Sequence, residues 1–88
     1  MTGKEISSLR EALQLSMPDF AKLLGVDQRS VIRWENGTAE PTSSAREVMI
    51  GVRRAFDADG AFVTDEIRDV LEVGGLALLI ERLLKVNG

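Results

Sequence analysis

Apolar residues recur along most of the chain at three- and four-residue intervals, the period of helices that bury one stripe. Ile6, Leu9 and Leu13 predict a first helix over about residues 4–15. Ser16 fits an N-cap for a second, short helix, with Pro18 in its first turn, Asp19 three residues after the cap, and Phe20, Leu23 and Leu24 on its apolar side. Gly25 is expected to end it in a left-handed conformation, with Val26 turned inward. Asp27 caps a third helix running through Val31, Ile32 and Trp34, which Asn36-Gly37 stops. After a loop up to Pro41, Thr42 or Ser43 opens a fourth helix with Ala45, Val48, Met49, Val52 and Phe56 apolar. Asp57-Ala58-Asp59-Gly60 reads as a turn, and Thr64 as the cap of a fifth helix carrying Ile67, Val70 and Leu71. Gly74-Gly75 is expected to break that helix, since two interior glycines cost roughly 2 kcal/mol relative to alanine. A sixth helix is expected over about residues 76–86. No strand-length window alternates apolar and polar residues, so the expected fold is all-α: one compact bundle of five to six helices.

The sixth segment is apolar nearly all round. Leu76, Leu78, Leu79, Ile80, Leu83, Leu84 and Val86 are interrupted only by Glu81, Arg82 and Lys85 among charged residues. One small core is not expected to bury every side of it. It can pack on the first and fifth helices, or form a partner surface. Homodimerisation through Leu76, Leu79, Ile80, Leu83 and Leu84 is the favoured outlet, and a different partner protein could use part of the same surface.

Composition narrows the chemistry. The 88 residues hold no cysteine and no histidine, which removes disulfides, thiolate zinc sites and the usual acid–base group. There is no glycine-rich phosphate loop, and an enzyme is not expected; nor is a metal or other cofactor. The N-terminal residues lead into an amphipathic stretch rather than a signal peptide. The longest apolar run, residues 76–80, is far shorter than the ~20 residues of a membrane span. A soluble cytoplasmic protein, with no membrane partner, is the expectation. The net charge of −3 is unevenly spread: residues 1–56 carry eight Lys/Arg against seven Asp/Glu, residues 57–88 three against seven. Basic charge thus sits in the N-terminal part, and attraction to phosphate is local because salt screens charge beyond about 8 Å.

Residues 17–37 have the spacing that two steeply crossing helices with a tight turn require. Ala21 is the small residue at the close approach, and Gly25, four positions later, tolerates positive φ. Leu24, Val26, Val31 and Trp34 supply the inward apolar positions, while Gln28, Arg29, Ser30 and Arg33 project from the second helix. By themselves those polar residues could be a solvated helix face. The run Phe20-Ala21-Lys22-Leu23-Leu24-Gly25-Val26-Asp27, then Ser30-Val31-Ile32-Arg33-Trp34-Glu35-Asn36-Gly37, resembles the lambda-repressor/Cro (XRE-like) helix-turn-helix family, and the resemblance covers roughly residues 4–56. With Pro41 and the small-residue opening of the fourth helix, it is also similar to antitoxin-type autoregulators, which suggests a toxin as a further partner.

The resemblance implies that residues 1–56 form the DNA-binding part and residues 57–88 the dimerising part. A homodimer would read a pseudo-palindromic operator in double-stranded DNA and repress its own operon. The third helix would lie in the major groove, with Gln28, Arg29 and Arg33 on base edges; arginine can be bidentate to guanine and glutamine to adenine. Ser16, Ser30, Asn36 and Thr38 would lie near phosphates, and Arg10 and Glu35 would form a structural ion pair. Two departures weaken the backbone grip: Met17 stands where the family usually has glutamine, and the loop Thr38-Ala39-Glu40 is not basic. Lys22, Arg46 or Arg53 are candidates to compensate.

A calcium loop is the other candidate motif. Asp57, Asp59, Gly60 and Glu66 fit its third, fifth, sixth and twelfth positions, but the first is Ala55. A helix–helix turn is the expected reading.

Overall fold

A computed structural model describes residues 1–73, which form five α-helices with no strand among the described residues. They are α1 (Gly3–Ala12), α2 (Met17–Leu24), α3 (Gln28–Glu35), α4 (Ser43–Ala58) and α5 (Gly60–Val73). The expected sixth helix, the break at Gly74-Gly75 and the proposed dimer residues Leu76, Leu79, Ile80, Leu83 and Leu84 lie outside the described residues. No described helix is long and apolar enough to cross a membrane.

Each helix starts on a side-chain cap that satisfies an amide the helix cannot reach. Ser16 Oγ accepts from Asp19 N at 3.3 Å, Asp27 Oδ1 from Arg29 N at 2.8 Å, and Thr42 Oγ1 from Ala45 N at 3.2 Å. Thr2 and Glu5 form a reciprocal capping box, the Glu5 amide donating to Thr2 Oγ1 at 3.1 Å and the Thr2 amide to Glu5 Oε1 at 2.9 Å. The Thr2 amide, and after it the Thr2 hydroxyl, hold the Glu5 carboxyl below its ordinary pKa.

The first three helices end the same way. The residues with positive φ among the described ones are Gln14 (59°), Gly25 (68°) and Gly37 (81°), and each closes a Schellman turn. In these turns the following amide reaches back five residues: Leu15 to Arg10 O at 3.2 Å, Val26 to Ala21 O at 3.0 Å, Thr38 to Arg33 O at 2.9 Å. This corrects the expected extent of the first helix, which stops at Ala12 rather than near Leu15 because Gln14 turns left-handed. A left-handed L-residue costs roughly 1–2 kcal/mol, and the exposed Gln14 has no glycine's freedom. Gln14→Gly is therefore expected to raise unfolding free energy by roughly 0.5–1 kcal/mol in urea titrations. A lowered midpoint would show that the glutamine side chain earns its place by another contact.

A second correction concerns the fifth helix. It begins at Gly60, not Thr64, because Asp59 Oδ1 caps it by accepting from Phe62 N at 3.1 Å. Thr64 lies within the helix and its hydroxyl donates to Gly60 O at 2.8 Å. The expected four-residue turn shrinks to Asp59. With Asp57 in α4 and Glu66 in α5, no calcium-type loop exists here.

The core draws on all five helices: Ile6, Leu9 and Leu13 with α1, Phe20, Ala21, Leu23 and Leu24 from α2, Val31 and Trp34 from α3, Ala45, Met49 and Val52 from α4, Val63, Ile67 and Val70 from α5. No polar side chain is buried among the described residues. Val63 joins this core because α5 starts a turn earlier than expected. α5 packs on both α4 and α2, while α1 packs on α3 and α4. The result is a scaffold on which α3 is held from behind and left open in front.

Candidate nucleic-acid interface

α2, the turn at Gly25 and α3 form the two-helix unit that residues 17–37 predict. Ala21 is buried, and at this small side chain α3 can approach closely. The Schellman turn at Gly25 then sets the direction in which the chain leaves α2. Val31 (0% exposed) and Trp34 (5%) tie the inner face of α3 to the core.

Two further contacts fix the end of α3. Arg10 Nε donates to Glu35 Oε2 at 2.8 Å and Nη2 to Glu35 Oε1 at 3.2 Å, a fork-on-carboxylate pair between α1 and α3. The same guanidinium donates through Nη1 to Leu15 O at 3.1 Å, so one side chain joins the end of α1, the following turn and α3. Glu35's hydrogen bonds raise the Arg10 pKa above its already high ordinary value. The second contact is at Gly3. A Cβ there would lie 2.6 Å from the Trp34 carbonyl oxygen and 2.9 Å from the Glu35 carbonyl carbon, so only hydrogen fits where the first turn of α1 meets the end of α3.

The outer face of α3 carries Gln28, Arg29, Ile32 and Arg33, all exposed, with Asn36 just beyond the helix on the same side. Neither arginine has a carboxylate partner among the described residues. The acidic residues nearest in sequence are occupied elsewhere, Asp27 as a cap and Glu35 by Arg10. The face therefore presents two unpaired guanidinium groups and a primary amide on a rigid helix.

The residues expected near phosphates are placed less uniformly. Ser16 is exposed and its oxygen accepts from Asp19 N. Asn36 Oδ1 accepts from the Thr38 amide at 3.0 Å and from the Thr38 hydroxyl. That leaves the Asn36 NH2 group pointing to no partner among the described residues. Ser30 is half-buried and makes no side-chain hydrogen bond among them. Met17 is partly buried against the core, which explains an apolar residue at the first position of α2. Of the compensating cations, Lys22 Nζ donates to Leu71 O at 3.1 Å, near the end of α5, and Arg53 pairs with Asp57 at 3.3 Å. Arg46 is exposed and has no ion pair among the described residues.

Sequence reading missed Ile32 as a surface residue: it is 41% exposed and lies on the outer face. Its spacing from Gln28 and Arg29, four and three residues, was the available signal. The capping box was also missed, although Thr2-x-x-Glu5 is its signature.

Residues 6–45 match a family profile described as helix-turn-helix. The chain is 35% identical over 49 residues to the antitoxin PezA of Streptococcus pneumoniae, an alignment covering 56% of this chain and 31% of that protein. It is 35% identical over 91 aligned positions to a protein of Archaeoglobus fulgidus provisionally named an HTH-type transcriptional regulatory protein, covering all of this chain and 29% of that one. The chain thus spans less than a third of the length of each. No solved structure matches it. Residues 6–45 thus match the helix-turn-helix family, with the buried Ala21, left-handed Gly25 and inward Val31 and Trp34 in register.

Proposed function

We propose that this protein is a sequence-specific DNA-binding transcriptional regulator that acts as a homodimeric repressor of its own operon. The single observation that carries this reading is the outer face of α3, where Arg29 and Arg33 are exposed and unpaired among the described residues beside Gln28. On this reading α3 enters the major groove, Gln28, Arg29 and Arg33 meet base edges, and Ser16, Ser30, Asn36 and Thr38 lie along the phosphates. A two-fold dimer sets two copies of α3 about 34 Å apart on a pseudo-palindrome. Residues 1–56 are the DNA-binding part and residues 57–88 the dimerising part, through Leu76, Leu79, Ile80, Leu83 and Leu84.

The phosphate grip is weakened at Met17 and in the Thr38-Ala39-Glu40 loop, and of the three candidate compensating cations Lys22 donates to Leu71 O and Arg53 pairs with Asp57, which leaves Arg46. Binding therefore depends on two half-sites acting together. The test is a gel shift on the DNA upstream of its own coding region across a salt series, with the mass of the complex measured alongside. Log affinity is expected to fall linearly with log salt, by about 0.9 per phosphate neutralised, with saturation at two chains per site. Equal affinity for a scrambled duplex would overturn the reading.

A second reading adds a protein partner. The likeness to an antitoxin favours it, and a toxin bound on the apolar segment from Leu76 to Leu84 would combine both roles. Co-purification of such a partner in the absence of DNA is its test.

A further inference from the structure

Most large apolar side chains of the described residues are buried or partly so; Ile32 and Ile50 are the exposed ones. Ile50 lies on α4. Ile32 lies in the middle of the outer face of α3, between Gln28 and Arg29 one turn before it and Asn36 one turn after, with Arg33 adjacent. The fold does not require it there. Val31 and Trp34 already make the core contacts of α3. Helix propensity does not favour it either, since a β-branched residue restricted at χ1 is worse on an exposed helix than Ala, Lys, Arg or Glu. An exposed isoleucine alone is unremarkable. This one occupies the centre of a face otherwise made of hydrogen-bonding and cationic groups.

Resting on the reading of α3 as the helix that enters DNA, we propose that Ile32 is a specificity-determining residue that packs on the C5-methyl group of a thymine in each half-site. In the major groove each base pair shows donors and acceptors, and the thymine methyl is the apolar group among them. A branched aliphatic chain cannot hydrogen-bond to a base edge. Set against a cytosine N4 amine or a guanine O6, it strips water from a polar group and returns nothing. Set against a thymine methyl, it removes apolar surface of both partners from water. Ile32 thus selects T at a position within the stretch that Arg29 and Arg33 flank. It does so by an apolar contact where its neighbours use hydrogen bonds.

The experiment uses the full chain and the duplex it selects from a random pool. Each thymine is replaced in turn by deoxyuridine, which removes only the C5-methyl, and affinities are compared for the wild type, Ile32→Ala and Ile50→Ala. For the wild type, one thymine per half-site is expected to show about a four-fold loss, the equivalent of one buried methyl group. Ile32→Ala should bind thymine and deoxyuridine duplexes equally, while Ile50→Ala keeps the wild-type response. Because Ile32 is exposed, its alanine variant should melt with the wild type, which separates a lost contact from a lost fold. A duplex that is selected and bound, yet shows no deoxyuridine effect or one that Ile32→Ala retains, overturns the role of Ile32 and leaves the DNA reading standing. Failure to select any sequence sinks both.

Discussion

Replacing Arg29 and Arg33 together by alanine is expected to abolish discrimination between the operator and scrambled DNA while leaving the fold intact. Each bidentate arginine–guanine pair discriminates by about 1–3 kcal/mol, so each single variant should lose roughly 5- to 150-fold in affinity for the operator. The loss should be largest where the contacted base is correct, because the hydrogen bonds removed are those the wrong base could not make. Stability should change little. Both side chains are exposed, neither is in an ion pair among the described residues, and alanine is the better helix former. The turn that ends α3 uses the Arg33 backbone carbonyl, which alanine keeps. Affinities for operator and scrambled duplexes, with a melting curve as control, check this. A double variant that still prefers its operator would move base recognition off α3.

Arg10→Ala is expected to be the most destabilising exchange of a charged residue among those considered. Its guanidinium makes hydrogen bonds to both Glu35 carboxylate oxygens and to the Leu15 carbonyl. The side chains of Arg10 and Glu35 are only 18% and 10% exposed, so water cannot fully replace what is lost. Breaking a buried pair by removing one partner costs about 3–5 kcal/mol; the residual exposure here brings the expectation to roughly 2–3 kcal/mol. For a domain of this size that lowers the melting temperature by about 10 °C or more. Arg10→Met combined with Glu35→Leu should recover much of the loss, since it removes the stranded charge. Thermal melts of the single and double variants measure this. A single-variant loss below about 0.5 kcal/mol would reduce the pair to an ordinary surface contact.

Much of the helix-turn-helix was legible in short windows. Ser16, Asp27 and Thr42 act as caps where expected, because capping joins a side chain to an amide two or three residues away. Gly25 ends α2 because glycine takes positive φ without a Cβ clash. The same rules missed the end of α1, since glutamine is not a left-handed signal, and placed the start of α5 at Thr64, where Asp59 caps it one turn earlier. Ile32 was grouped with the apolar residues of its helix. Which side of α3 it occupies depends on how Val31 and Trp34 seat the helix.

The sequence by itself determined the helical period, most caps, the glycine-ended turns and the absence of histidine and cysteine chemistry, because each is settled within a few residues or by composition. Tertiary structure alone decided that Lys22 serves a carbonyl 49 residues away and that Gly3 leaves room for the end of α3. The Arg10–Glu35 pair, 25 residues apart, was indicated by family resemblance, and its fork geometry and third bond to Leu15 came only with the fold. These contacts depend on where packed helices bring distant atoms together, and no local preference of the backbone encodes that position. Such packing also leaves Arg29, Ile32 and Arg33 together on one open face.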